Sequence, residues 1–152
     1  MSEILEKPEV QKIYIDARGP RFSASLTTIV LATALVTHNV WVLVAQGLIF
    51  LIGATAGPQF TPYGVIFKKV VKPRLKKESP TEDVRPPKFA QSVGLIFALI
   101  GIFGAVVDRG LIFTVATAFA LAAAFLNAAF NYCLGCEMYL LLVRFRSKYI
   151  QN

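Results

Sequence analysis

The chain has 152 residues, of which 55% are hydrophobic and only 16% charged, and its formal net charge is +7. Its mean hydropathy is +0.58. Ordinary soluble domains carry about 25% charged residues and disordered chains are more polar still, so both classes are disfavoured, and the length leaves room for one compact unit.

The apolar residues come in blocks. No Asp, Glu, Lys or Arg falls between Phe22 and Phe67, between Phe89 and Val107, or between Gly110 and Cys136. Such runs predict membrane spans. Ahead of them, Glu3, Glu6, Lys7, Glu9, Lys12, Asp16 and Arg18 leave no apolar core for a signal peptide. Residues 1–21 are therefore expected to be a retained, cytoplasmic arm.

A membrane helix needs about 20 apolar residues to cross about 30 Å of hydrocarbon. The first block is long enough for two spans, and its most polar point is Thr37-His38-Asn39. Helices are predicted over Phe22–Val36 and Val40–Ala56, the second closed by Gly57-Pro58. A basic cytoplasmic loop follows over 68–88. A third helix is predicted over Phe89–Val107, a turn at Asp108-Arg109-Gly110, and a fourth helix over Leu111–Tyr132 or further. Gly94, Ala98, Gly101 and Ala105, and Ala116, Ala120 and Ala123, form small-residue stripes that let helices approach. The tail over 137–152 mixes Leu140, Leu141, Leu142, Phe145 and Tyr149 with Arg144, Arg146 and Lys148, a pattern suited to an interfacial helix.

The fold class read from this pattern is all-α: an integral membrane four-helix bundle, with 22–152 as a single four-span domain. Fifteen of the 16 basic residues flank the spans on one side, Arg109 alone on the other. Short loops rich in Lys and Arg stay in the cytoplasm, so both termini are expected there, against anionic lipid head groups. No aromatic residues alternate with the basic ones, which argues against nucleic acid as a partner.

Two segments echo each other at a spacing of 67 residues. Asp16-Ala17-Arg18-Gly19-Pro20-Arg21-Phe22-Ser23-Ala24-Ser25 matches Asp83-Val84-Arg85-Pro86-Pro87-Lys88-Phe89-Ala90-Gln91-Ser92. A second echo follows each hairpin, Phe60-Thr61-Pro62-Tyr63 against Phe130-Asn131-Tyr132-Cys133, at a spacing of 70. The expectation is two repeated hairpins, over 16–67 and 83–136, related by an axis along the membrane normal. Asp16, Arg18, Asp83 and Arg85 are its motif residues.

The only cysteines are Cys133 and Cys136, spaced C-x-x-C. On a helix such positions are neighbours about 5–6 Å apart, close enough for a disulfide. Three readings stand: a redox couple, half of a metal site, or two small packing residues. A four-cysteine metal site would need a homodimer, because His38, the sole histidine, is expected on the opposite membrane face. If helix four runs unbroken past Gly135, both thiols sit at its negative end, which disfavours thiolate. If Gly135 ends that helix and a new one starts near Glu137, Cys136 lies at a positive end and becomes nucleophilic. Asn127 and Asn131, one turn apart, read either as a polar patch beside the thiols or as interhelical hydrogen-bonding groups, and Gln46 and Gln91 admit the same two readings. No phosphate-binding loop, His-Glu metal motif or Ser/His/Asp arrangement is present, and no cofactor is expected.

Asp-x-Arg-x-Pro-basic-Phe before span one, Thr61-Pro62-Tyr63-Gly64 after span two, Arg85-Pro86-Pro87-Lys88-Phe89-Ala90-Gln91 before span three, and Asn127 with Cys133-Leu134-Gly135-Cys136-Glu137 resemble a family of small bacterial membrane proteins catalogued as domain of unknown function 4395. The resemblance implies a four-span protein, placed by its charge pattern in a bacterial inner membrane, and no established activity. The residues themselves suggest a cytoplasm-facing thiol-disulfide or sulfane-sulfur relay. One of Cys133 and Cys136 would attack and the other resolve, with thioredoxin-like or sulfurtransferase proteins as partners. The competing reading is a non-enzymatic scaffold or small-solute conduit.

Overall fold

The computed structural model describes residues 14–75 and 81–151. Helix makes up 85% of it. A short strand β1 (Tyr14–Asp16) leads into α1 (Arg18–Thr37). Asp16 Oδ1 accepts the Arg18 backbone N–H at 2.9 Å, and the carboxylate also pairs with the Arg18 guanidinium at 3.1 Å. The helix thus starts four residues ahead of the expected Phe22. Pro20 falls in its first turn, where the backbone N–H has no helical partner to lose.

His38, at φ 51, ends α1, and Asn39 opens α2 (Val40–Thr55) by accepting the Trp41 N–H at 2.9 Å. The turn falls where the sequence is most polar. After Gly57, at φ 121, a 3-10 turn (Pro58–Phe60) brings Thr61 to the start of a short helix α3 (Pro62–Ile66). A π-helical turn over Phe67–Val71 and a 3-10 turn over Lys72–Arg74 follow, so the first part of the expected basic loop is wound.

The far end of that loop forms a second strand, β2 (Thr81–Asp83), which pairs antiparallel with β1 in the register Tyr14–Asp83, Ile15–Glu82, Asp16–Thr81. The all-α expectation missed this ribbon. Three residues are too few to show a strand's alternation, and Thr-Glu-Asp carries no apolar signal.

Helix α4 (Arg85–Val106) repeats the entry of α1: Asp83 Oδ1 accepts the Arg85 N–H at 3.0 Å and the side chains pair at 2.6 Å. Pro86 and Pro87 lie in its first turn, again ahead of the predicted Phe89. Asp108, at φ 59, forms the exposed turn into α5 (Gly110–Phe130). Asn131, at φ 53, ends α5 before Tyr132, and α6 (Leu134–Gln151) follows.

Helix α1 packs on α2 and α5, and α4 packs on α2 and α5. Leu31, Leu43, Phe50, Ala98, Phe113 and Ala120 form the core. The small residues sit where helices approach. A Cβ at Gly101 would lie 2.7 Å from Leu43 Cδ2, and one at Gly94 would lie 2.8 Å from the Phe50 ring. The outer faces are apolar too, with Trp41, Leu48, Ile96, Phe103 and Phe119 exposed. Helices α1, α4 and α5 are long and apolar enough to cross a membrane; α2 is apolar but shorter, at 16 residues.

Candidate functional site

The site begins with the way α5 stops. Asn131 adopts the left-handed conformation, and the Asn131 and Tyr132 N–H groups both donate to the Leu126 carbonyl, Tyr132 at 3.2 Å. The chain therefore leaves α5 sharply. Two residues on, Cys133 starts α6: its carbonyl accepts the Glu137 N–H at 3.0 Å and its Sγ accepts the Cys136 N–H at 3.2 Å. An N-cap side chain makes this same bond, with sulfur here in place of the usual oxygen.

Cys133 and Cys136 are joined as a disulfide, with their Cα atoms 5.1 Å apart. Both residues are partly buried. The helix break lies at 131–133 rather than at Gly135, but its electrostatic consequence is that expected of a break at Gly135. The pair straddles a fresh helix N-terminus, a position that favours thiolate on reduction. Gly135 has a different task. A Cβ there would lie 2.6 Å from both Cα and Cβ of Ala90, so the missing side chain lets α6 rest directly on α4. The Phe89 and Tyr139 rings, 5.7 Å apart, extend that contact.

A cavity of about 260 Å³ opens beside the pair, between α1, α2, α4, α5 and the start of α6. Cys133, Asn127 and Gln91 line it together with Phe50, Phe97 and Phe119. None of its lining residues is charged, and Cys136 is not among them. The Gln91 side chain lies against Gly53, and its Oε1 is buried without a hydrogen-bond partner among the described residues.

The other residues singled out from the sequence divide clearly. Asn127 lines the cavity. Asn131 is exposed and serves the backbone turn, so it is no part of a polar patch with Asn127. Glu137 is exposed in the first turn of α6. Arg144, Arg146 and Lys148 are also exposed but lie about two turns or more further along α6, too far to act on the sulfurs directly. Gln46 is fully buried in packing contacts, accepting from the Tyr63 hydroxyl at 2.8 Å and donating to Thr27 Oγ1 at 3.5 Å.

Asp16, Arg18, Asp83 and Arg85 cap and brace two helix starts. His38 lies against Phe113 near the beginning of α5, about 30 Å along that helix from the cysteines. Among the described residues no group of three or more His, Cys, Asp or Glu side chains could hold a metal. Two features escaped the sequence reading. One is the cavity, whose phenylalanines come from three helices. The other is Arg21, whose Nε donates to the Ala128 carbonyl at 3.1 Å, at the negative end of α5.

These features define a class: a small helical protein whose helices could span a membrane, with a cysteine pair at the mouth of one helix. The chain matches the family described as Domain of unknown function (DUF4395) over residues 15–144, and it belongs to that family. The matched span covers every long helix up to the first half of α6, both cysteines included. No curated protein and no solved structure matches it.

Proposed function

We propose that this is a four-span membrane protein of the bacterial inner membrane, with both termini in the cytoplasm, whose Cys133–Cys136 pair exchanges disulfides with soluble thiol carriers. The observation that carries the reading is the double role of Cys133, at once half of the disulfide and cap of α6. In thiol–disulfide exchange the sulfur that leaves most easily is the one best stabilised as thiolate. A carrier thiolate attacks Cys136 Sγ, the S–S bond breaks, and Cys133 leaves as the thiolate held by the helix N-terminus. A second carrier thiol then displaces Cys136 from the mixed disulfide. The carrier ends as a disulfide and the chain as a dithiol.

Several features support the membrane placement. Helix α2 spans only about 24 Å, yet it is packed between α1 and α4 and joined to α1 by a two-residue turn. A four-helix bundle of two repeats fits the contacts. With the 67-residue shift, α1 corresponds to α4 and α2 to α5, so the α1–α5 and α2–α4 contacts are equivalent. The ribbon obeys the same relation, because Ile15 lies opposite Glu82 and each directly precedes its capping aspartate. A twofold axis through that pair would exchange the halves. The exposed Leu140, Leu141, Phe145 and Tyr149 beside Arg144 and Lys148 suit α6 to an anionic lipid surface.

The test is trapping of the cysteines in native membranes. Reduced thioredoxin should open the disulfide without denaturant, and both thiols should then alkylate readily at neutral pH. A persulfide donor adding one sulfur to the chain would assign sulfane-sulfur transfer instead. Cysteines that alkylate only after denaturation, together with unchanged cell physiology in the Cys133→Ser, Cys136→Ser chain, would favour the scaffold.

A further inference from the structure

We infer that the cavity beside Cys133 binds the ring of a lipid-soluble quinone, which reoxidises the reduced cysteine pair; the inference rests on the thiol-exchange reading above. The cavity lining selects the ligand's chemistry. With no charged residue around it, the site suits a neutral molecule. Phe97 and Phe119 stack on each other, 6.1 Å between ring centres and 25° from parallel, and with Phe50 they make one side of the cavity aromatic and apolar, a surface on which a planar ring can lie. Asn127 and Gln91 supply amide groups able to donate to carbonyl oxygens.

Size and access agree with this. Pockets for drug-sized ligands hold about 300–1,000 Å³. A cavity of about 260 Å³ therefore suits a single substituted ring whose tail remains outside. Phe119 forms part of the wall and is itself 61% exposed on the outer apolar surface, so the cavity borders the side from which a lipid-dissolved molecule would enter.

Cys133 lines the cavity and Cys136 does not, which divides the work. Cys136 meets the soluble carrier and Cys133 meets the quinone. Cys133 thiolate adds to a ring carbon, forming a C–S bond, and one carbonyl oxygen takes a proton. Cys136 thiolate then attacks Cys133 Sγ. The S–S bond forms, the C–S bond breaks, its electron pair enters the ring, and the second oxygen takes the second proton. Two thiols lose two electrons and two protons, and quinone becomes quinol.

The experiment uses the full chain in lipid nanodiscs, reduced and freed of reductant, with a fully ring-substituted decyl-benzoquinone as probe. Quinol is followed by absorbance and free thiols by quenched labelling. The expected result is one quinol formed per disulfide closed. Ala123→Phe, which fills the cavity, should slow quinol formation about tenfold or more while exchange with reduced thioredoxin is retained. Asn127→Leu, which removes only the amide, should raise the quinone concentration needed for half-maximal rate. Exchange with thioredoxin but no quinol from the unaltered chain would overturn the quinone site and leave the relay standing. Equal quinol rates in both variants would also overturn it. Failure of both reactions would overturn the relay itself.

Discussion

Thr61 and Cys133 do the same backbone task in the two halves of the chain. Thr61 Oγ1 accepts the Gly64 N–H at 3.1 Å, and Cys133 Sγ accepts the Cys136 N–H at 3.2 Å. Each opens the helix that follows the second long helix of its half. The sequence echo sets Thr61 beside Asn131, whereas the caps align it with Cys133. One half uses an inert hydroxyl at this place and the other a sulfur that can change oxidation state.

A cap can be measured apart from a disulfide. With every chain kept reduced, Cys133→Ser should be at least as stable as the parent, because a hydroxyl is the better acceptor. Cys133→Ala should lose about 1 kcal/mol, the usual worth of an N-cap. Thermal unfolding in detergent checks the order. Equal stability of the serine and alanine chains would show that the Cys133 side chain does not cap α6.

Gly135 is held by space. Its substitution by alanine places a Cβ against the Ala90 backbone and side chain at 2.6 Å, and backbone cannot yield as a side-chain tip can. Gly135→Ala should destabilise the chain by about 1–3 kcal/mol and lift the start of α6 from α4. Faster alkylation of reduced Cys133 would report the lift. Ala90→Gly in the same chain should restore only part of the loss, because the Ala90 Cα is as close as its Cβ.

The long helices are legible because their apolar runs are long and uniform, and because Thr37-His38-Asn39 and Asp108-Arg109 interrupt them. Their starts, at Arg18 and Arg85, lie ahead of the expected Phe22 and Phe89 for a local reason. The aspartates at 16 and 83 cap helices that accept proline in the first turn, so the charged and proline-bearing residues belong to the helices. The C-x-x-C spacing marks the cysteine pair, but its placement turns on Asn131, where one left-handed residue ends α5. Sequence admits asparagine there without requiring that conformation. The cavity was not legible at all, since Phe50, Phe97 and Phe119 acquire a common purpose only when α2, α4 and α5 are packed.

Glu82 gives the ribbon a pH dependence. It lies opposite Ile15, and burial pushes its carboxyl above the ordinary carboxylate value. The folded state thus binds the proton more tightly than the unfolded state. Its contribution to stability is fully present below the unfolded value and is lost as pH rises through the folded one. Glu82→Gln should stabilise the chain at neutral pH and flatten this part of the stability profile in the mildly acidic range. Unfolding followed from acid to neutral pH checks the sign. A glutamine chain less stable at neutral pH would mean that the carboxylate makes a favourable charged contact.

The length of α2 makes topology the sharpest remaining test. Single cysteines at positions 39, 76, 109 and 147, in a Cys133→Ser, Cys136→Ser chain, would be probed in right-side-out vesicles with an impermeant maleimide. Lys76 lies outside the described residues, in the stretch between the Lys72–Arg74 turn and β2. If α2 crosses, positions 39 and 109 label in intact vesicles, while 76 and 147 label only after lysis. If α2 fails to cross, the chain after it inverts: 39, 76 and 147 label from outside and 109 does not. The first pattern is expected. It keeps all the basic residues except Arg109 on the cytoplasmic side, whereas the inverted one would export the basic stretch from Lys68 to Lys88. It also puts Cys133, which directly follows the end of α5, on the face where soluble thiol carriers are found.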